Sequence, residues 1–129
     1  DAGFDNNLNY NNNLRVYRVA EAYLNAAELL LETGGDANLA KDYVNKIRNR
    51  AGVAQKTSVT VDDVIEERHL EFVGEGKRYF DLVRSGKAAS VLTPDKYGYR
   101  TNSWTESKKY IPIAQAELDS DPALVQNDY

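Results

Sequence analysis

Residues 14–52 read LRVYRVAEAYLNAAELLLETGGDANLAKDYVNKIRNRAG, and this stretch decides the fold. Val16 and Tyr17, Ala20, Tyr23 and Leu24, Ala27, and Leu30 and Leu31 recur at intervals of three and four, the period of an amphipathic helix. Ala20, Ala22, Ala26 and Ala27 add helix propensity and leave a small-residue face that a neighbour can approach closely. Gly34 and Gly35 stop this helix, because glycine accepts the left-handed conformation that closes one, and Asp36 stands where it can cap the next. The second helix buries Leu39, Ala40, Tyr43, Val44, Ile47 and Ala51, and Gly52 lies beyond its end. Two antiparallel helices joined by a short turn form a helical hairpin. Its alanine-rich first helix and aromatic anchors have the character of one tetratricopeptide unit. Such units need about three copies to bury a continuous core, so the hairpin is expected to pack on partners outside this chain.

Outward from the hairpin the order is looser. Residues 1–13 hold six asparagines and only Phe4, Leu8 and Tyr10 as large apolar groups, so they are expected to form a loop. After a polar link at 55–59, Thr60 with Asp63 three positions on reads as a variant capping box. A third helix follows, with Val61, Val64, Ile65, Phe72 and Val73 directed inward and Asp62, Glu66, Glu67 and Glu71 largely outward. Gly74 and Gly76 interrupt it before a shorter helical stretch carrying Tyr79, Phe80, Leu82 and Val83, which ends at Gly86. Residues 93–109 combine turn formers with aromatics and are expected to be an extended surface loop or hairpin. Ile111-Pro112-Ile113 is a rigid extended entry to a last helical turn containing Ala116 and Leu118, and 121–129 is a coiled tail. The expected organisation is therefore a loop at 1–13, a hairpin at 14–52, a charged helical region at 60–86 and a loop-rich tail at 87–129.

Composition removes several classes of function. Sixteen basic residues against twenty acidic ones leave a net charge of −4 and no basic excess to neutralise a phosphate backbone, which argues against nucleic acid as a partner. No run approaches the roughly 18 apolar residues of a membrane helix. Zero cysteines exclude a disulfide framework, a thiolate metal site and a cysteine nucleophile within these residues. A chain without methionine that opens on Asp1 is expected to be processed or a fragment.

The densest charge lies between Glu66 and Arg84. Glu67 and Glu71 are four apart on one helical face, and paired carboxylates are what a glycosidase uses as acid and base. Each of them, however, has an arginine or lysine within one or two turns, which suits a counter-ion better than a proton donor. The favoured reading is a structural charged network of Arg68, Glu71, Arg78, Asp81 and Arg84 that holds helices together. His69 is the only histidine, so neither a histidine metal site nor a Ser-His-Asp triad can be assembled around it, and it reads as a partly exposed helix residue. Gly74, Gly76 and Gly86 match no phosphate-binding spacing and read as helix breakers. The aromatic loop is the most suggestive binding feature. Exposed Trp and Tyr rings offer flat surfaces for the C–H faces of sugars, while Asn and Arg direct hydrogen bonds to hydroxyls. Tyr97, Tyr99, Arg100, Asn102 and Trp104 are the candidate ligand-binding residues, with neither cofactor nor metal implied.

Four words in the sequence carry a family resemblance: residues 14–28; residues 44–52; residues 65–86; and Ile111-Pro112-Ile113 followed by Glu117, Asp121, Pro122, Gln126, Asn127 and Tyr129. In order and spacing the chain resembles the carboxy-terminal region of the SusD/RagB family of outer-membrane nutrient-binding lipoproteins. It departs from that pattern in having Ala114 where a second proline is common and Asp121 where asparagine is usual. The resemblance implies a mainly α fold: a tetratricopeptide-like helical hairpin plus further helices and long irregular loops, as the last part of a much larger protein. It implies non-enzymatic capture of a glycan or other oligomeric nutrient at the cell surface and delivery to a SusC-like TonB-dependent transporter. The lipoprotein anchor and the amino-terminal part that packs on the hairpin would lie outside these residues. The alternative is a helical-repeat protein–protein interaction module without a small ligand.

Overall fold

The computed structural model describes residues 16–128, so the loop expected at 1–13, Leu14 and Tyr129 lie outside the described residues. Helices alternate with irregular segments, and no strand occurs among the described residues: α1 (Val19–Glu32), α2 (Ala37–Arg50), α3 (Val61–Glu71), α4 (Arg78–Arg84), α5 (Ala88–Val91), a 3-10 turn (Glu106–Lys109) and α6 (Gln115–Ser120). The chain divides into two compact units, one ending at Glu71 and the other beginning at Phe72.

In the first unit α1 packs on α2 and on α3. The apolar period places Ala20, Leu24 and Ala27 of α1, Ala40, Val44 and Ile47 of α2, and Val64 and Ile65 of α3 in the buried interior. The α1–α2 turn has Gly34 at φ 69°, the left-handed conformation that lets the Gly35 amide reach back to the Leu30 carbonyl at 2.7 Å. Asp36 then accepts hydrogen bonds from the amides of Asn38 and Leu39 at 2.8 and 3.1 Å, supplying partners for donors that open α2.

The link between α2 and α3 is held from both ends. Asn45 exchanges two hydrogen bonds with the backbone of Lys56, each 2.9 Å. At the start of α3, Asp63 accepts from the Thr60 amide and hydroxyl, both at 2.8 Å, while the Thr60 hydroxyl oxygen accepts from the Asp63 amide at 3.2 Å. Lys56 Nζ adds an ion pair to Asp63 at 2.7 Å. The Lys56 hydrogen bond, followed by those from Thr60, lowers the Asp63 carboxyl from its ordinary 3.8 to about 2.

The structure departs from several expectations: on α2 the buried face is Ala40, Val44 and Ile47, while Leu39 and Ala51, expected there, are exposed. The first helix begins at Val19, because residue 18 is extended, with φ −143° and ψ 161°. On α3, Glu67 is buried and the Glu71 side chain is nearly so, whereas Val73 beyond the helix is 73% exposed. Arginines from the preceding segment and from α2 draw both carboxylates inward.

The second unit has less regular structure. Within α4, Asp81 and Leu82 are buried, and Tyr79 meets Phe80 edge-on at 5.8 Å between ring centroids. The segment after Gly86 is not wholly irregular, since Ala88 is buried and α5 forms one short turn there. The tail returns along residues 111–113. Gln126 bonds both the amide and the carbonyl of Ile113 at 2.9 Å, and Asn127 Nδ2 donates to the Ile111 carbonyl at 3.1 Å.

Leu24 is fully buried, so Leu24→Ala should cost about 2–5 kcal/mol through lost burial and the cavity left behind, measured as a fall in the urea midpoint. Asp63 provides a pH test. Its folded pKa lies below the unfolded value, so its contribution is complete above about pH 4 and is lost as the pH falls through about 2. Between pH 5 and 2 the native chain should lose stability more steeply than Asp63→Asn, and parallel curves would refute the assignment.

Candidate functional site

The charged cluster resolves into separate groups in the two units. Glu71 is gripped by two arginines. Arg18 Nη1 pairs with its carboxylate and Arg18 Nη2 donates to its carbonyl at 2.6 Å, while Arg50 Nη2 reaches both carboxylate oxygens at 2.5 and 2.7 Å. Glu67 accepts from Arg48 Nη1 at 2.5 Å, and Arg48 Nε also donates to the Ala54 carbonyl at 2.7 Å. Arg68, 4% exposed, donates to Asn25 Oδ1 at 2.5 Å and lies 3.8 Å from Glu21. In the second unit, Arg84 Nη2 meets the buried Asp81 at 2.9 Å, and Arg78 opens α4. His69 Nδ1 is 3.6 Å from Glu66 on the same helix.

The acid–base pair of a glycosidase finds no support in this geometry. Both oxygens of Glu71 and Oε2 of Glu67 meet guanidinium donors, which makes the two carboxylates ion-pair partners within the fold. Their partners Arg18, Arg48 and Arg50 come from other elements, and spacing along α3 could not reveal them. Among the described residues no group of three His, Cys, Asp or Glu side chains could hold a metal ion, and no helix is long and apolar enough to cross a membrane.

The aromatic loop has a single organiser, Asp95. Its Oδ1 accepts from the amides of Tyr97 and Tyr99 at 2.7 and 3.3 Å, and its Oδ2 accepts from the Arg100 amide at 2.5 Å. The Asp95 amide donates to the Arg100 carbonyl at 3.0 Å and closes the loop. Desolvation raises the Asp95 pKa, but the three amide donors outweigh it and the net shift is downward. Gly98, at φ 77°, supplies the left-handed turn that directs these amides inward. Arg100 Nη1 lies 3.4 Å from the Val91 carbonyl and 3.2 Å from the Thr93 carbonyl, anchoring the base of the loop.

Around this loop a cleft of about 470 Å³ opens, lined by Tyr79, Leu92, Tyr99, Arg100, Thr101, Asn102, Trp104 and Lys108. Four of the five candidates from sequence, Tyr99, Arg100, Asn102 and Trp104, meet there. Tyr97 is outside the lining; it sits 6.3 Å from the Tyr99 ring, with Lys96 Nζ 4.9 Å from its own centroid. Tyr79, Leu92, Thr101 and Lys108 were not legible as lining residues, since Tyr79 belongs to the apolar period of α4 and the others have ordinary loop chemistry. Trp104 is held through its amide to the Leu92 carbonyl at 3.1 Å, whereas its indole N–H has no hydrogen-bond partner. An aromatic wall with Arg, Asn and Thr at its edge can stack a ring and read its hydroxyls.

The SusD family model (SusD/RagB) matches residues 1–129. The starch-binding protein SusD of Bacteroides thetaiotaomicron is 34% identical over 88% of this chain and 21% of its own length. The SusD-like protein P25 of Formosa agariphila is 34% identical over 94% of this chain and 25% of its own. Among solved structures, surface glycan-binding protein A from Bacteroides uniformis is 64% identical with a TM-score of 0.84, covering 92% of this chain and 28% of that one. Surface glycan-binding protein A from Bacteroides thetaiotaomicron in complex with laminarihexaose is 61% identical with a TM-score of 0.83, covering 94% of this chain and 26% of that one. The chain thus spans about a quarter of the length of these proteins.

Removing Glu71 leaves Arg18 and Arg50 without the carboxylate that joins them, so Glu71→Ala should lower stability by about 1–3 kcal/mol in denaturant titrations. A change within about 0.5 kcal/mol would mean that the cluster is merely solvated.

Proposed function

The chain belongs to the SusD family, whose members are non-enzymatic binding proteins, and from that premise we propose that its cleft helps capture a glycan at the cell surface. The supporting observation is the 61% identity, over 94% of this chain, to a surface glycan-binding protein in complex with laminarihexaose. The favoured ligand is accordingly a glucan oligosaccharide of that kind. Trp104 and Tyr99 stack the sugar ring, while Arg100 and Asn102 read its hydroxyls. Tyr97, outside the lining, broadens the aromatic surface next to Tyr99.

The glycan is then delivered to a SusC-like TonB-dependent transporter in the outer membrane, where the protein sits as a cell-surface lipoprotein. The α1–α2 hairpin packs on the amino-terminal part of the same protein. The exposed side chains of Tyr17, Val19 and Leu29, which are 60–77% accessible, support that arrangement.

Calorimetric titration of the native polypeptide with laminarihexaose tests the capture role. Saturable binding should weaken by about tenfold or more in Trp104→Ala, a loss of about 1.4 kcal/mol, with the oligosaccharide recovered uncleaved. Undiminished binding by Trp104→Ala would place the ligand elsewhere. Cleaved sugar would overturn the binding role itself.

A further inference from the structure

The polar cleft ends at Tyr79 and Lys108, and the same two residues form one wall of a second cleft of about 270 Å³. Its remaining lining is Tyr110, Ile111 and Pro112. The Tyr79 hydroxyl donates to the Lys108 carbonyl, which fixes the wall the clefts share, and Lys108 Nζ is committed to the Ser103 carbonyl at 2.8 Å. The other side is equally built. Gln126 holds Ile113 through both its amide and its carbonyl, and Asn127 holds the Ile111 carbonyl. Those polar backbone groups are taken, and Pro112 has no amide proton to offer. What faces a ligand is therefore mainly ring and aliphatic surface, with Tyr110 and Ile111 62% and 61% exposed.

We propose that this second cleft is a sugar subsite contiguous with the first, where Tyr110 stacks the C–H face of a ring further along the same oligosaccharide. The proposal rests on the glycan reading of the polar cleft and extends it to chain length. Two features of the cleft favour this occupant. Aromatic surface with few free donors suits the apolar face of a pyranose and cannot read its hydroxyl edge. Because Tyr79 and Lys108 line both clefts, the two lie side by side, and a chain leaving the first is within reach of the second. A ring tethered by its neighbour arrives there at high effective concentration, so even a weak contact adds measurable affinity. The first cleft then sets which sugar is accepted, and the second sets a preference for longer chains.

The test compares laminaribiose with laminarihexaose on the native polypeptide, its Tyr110→Ala variant and its Tyr110→Phe variant, with circular dichroism as the check on folding. Tyr110→Ala should weaken the hexasaccharide about five- to tenfold and leave the disaccharide unchanged, while Tyr110→Phe, which keeps the ring, should bind both as the native protein does. An equal loss for both sugars overturns the separate subsite. So does an unchanged hexasaccharide affinity, which is the result expected if another part of the protein fills the cleft. Failure of the native protein to bind either sugar would instead remove the parent glycan reading, and this one with it.

Discussion

Burying a carboxylate is tolerable only when cations meet it, and that constraint governs how the first three helices assemble. Glu67 and Glu71 lie on α3 with side-chain exposures of 6% and 7%, and neither could stay there without the arginines that other elements bring. Arg48 and Arg50 sit in the last turn of α2, where positive charge also complements the helix dipole. Arg18 stands just before α1, and its extended backbone is the geometry in which it meets both the carboxylate and the carbonyl of Glu71. The apolar period brings α1, α2 and α3 together, and the ion pairs join α3 to α2 and to the segment before α1. A hydrophobic interface is non-directional, whereas these charge-assisted hydrogen bonds have preferred distances and angles.

A second carboxylate works in the opposite manner. Asp95 organises a loop that has no helix or sheet to shape it, by collecting the amides of Tyr97, Tyr99 and Arg100. Ordering a loop costs conformational entropy, and paying that cost within the free protein leaves less to be lost on binding. The rings of Tyr97 and Tyr99 and the Arg100 side chain are thus carried on a loop that is ordered from within. The two kinds of carboxylate divide the labour: those on α3 fasten scaffold, and the one at Asp95 shapes a surface.

This division accounts for the contrast between the charged words of the sequence and its aromatic words. Charges concentrated between Glu66 and Arg84 look like chemistry when read along one helix, yet Glu67 and Glu71 are paired with arginines from elsewhere in the chain. The aromatic segment carries little pattern, and its residues nevertheless surround the larger cleft. The chain belongs to the SusD family, whose members are non-enzymatic binding proteins, and carboxylates committed to ion pairs within the fold are consistent with that membership.

Much of this was legible in residue order. The three-and-four spacing of Ala20, Leu24 and Ala27, the break at Gly34 and Gly35, and the Asp36 cap are local signals, and local signals determine local structure. The chemistry of Trp104, Tyr99, Arg100 and Asn102 was likewise visible, because it depends on side-chain type alone. The inward turn of Glu67 was not, since its direction depends on Arg48, nineteen residues away and on another helix. Nor was the place of Tyr79 in the cleft wall, which depends on the carbonyl of Lys108, twenty-nine residues on. By itself, then, the sequence determined the longer helices, the turn between α1 and α2 and the side-chain chemistry of the aromatic loop. Only the tertiary structure decided which charges are buried and which rings share a cleft, because a long-range contact costs chain entropy that no local pattern records.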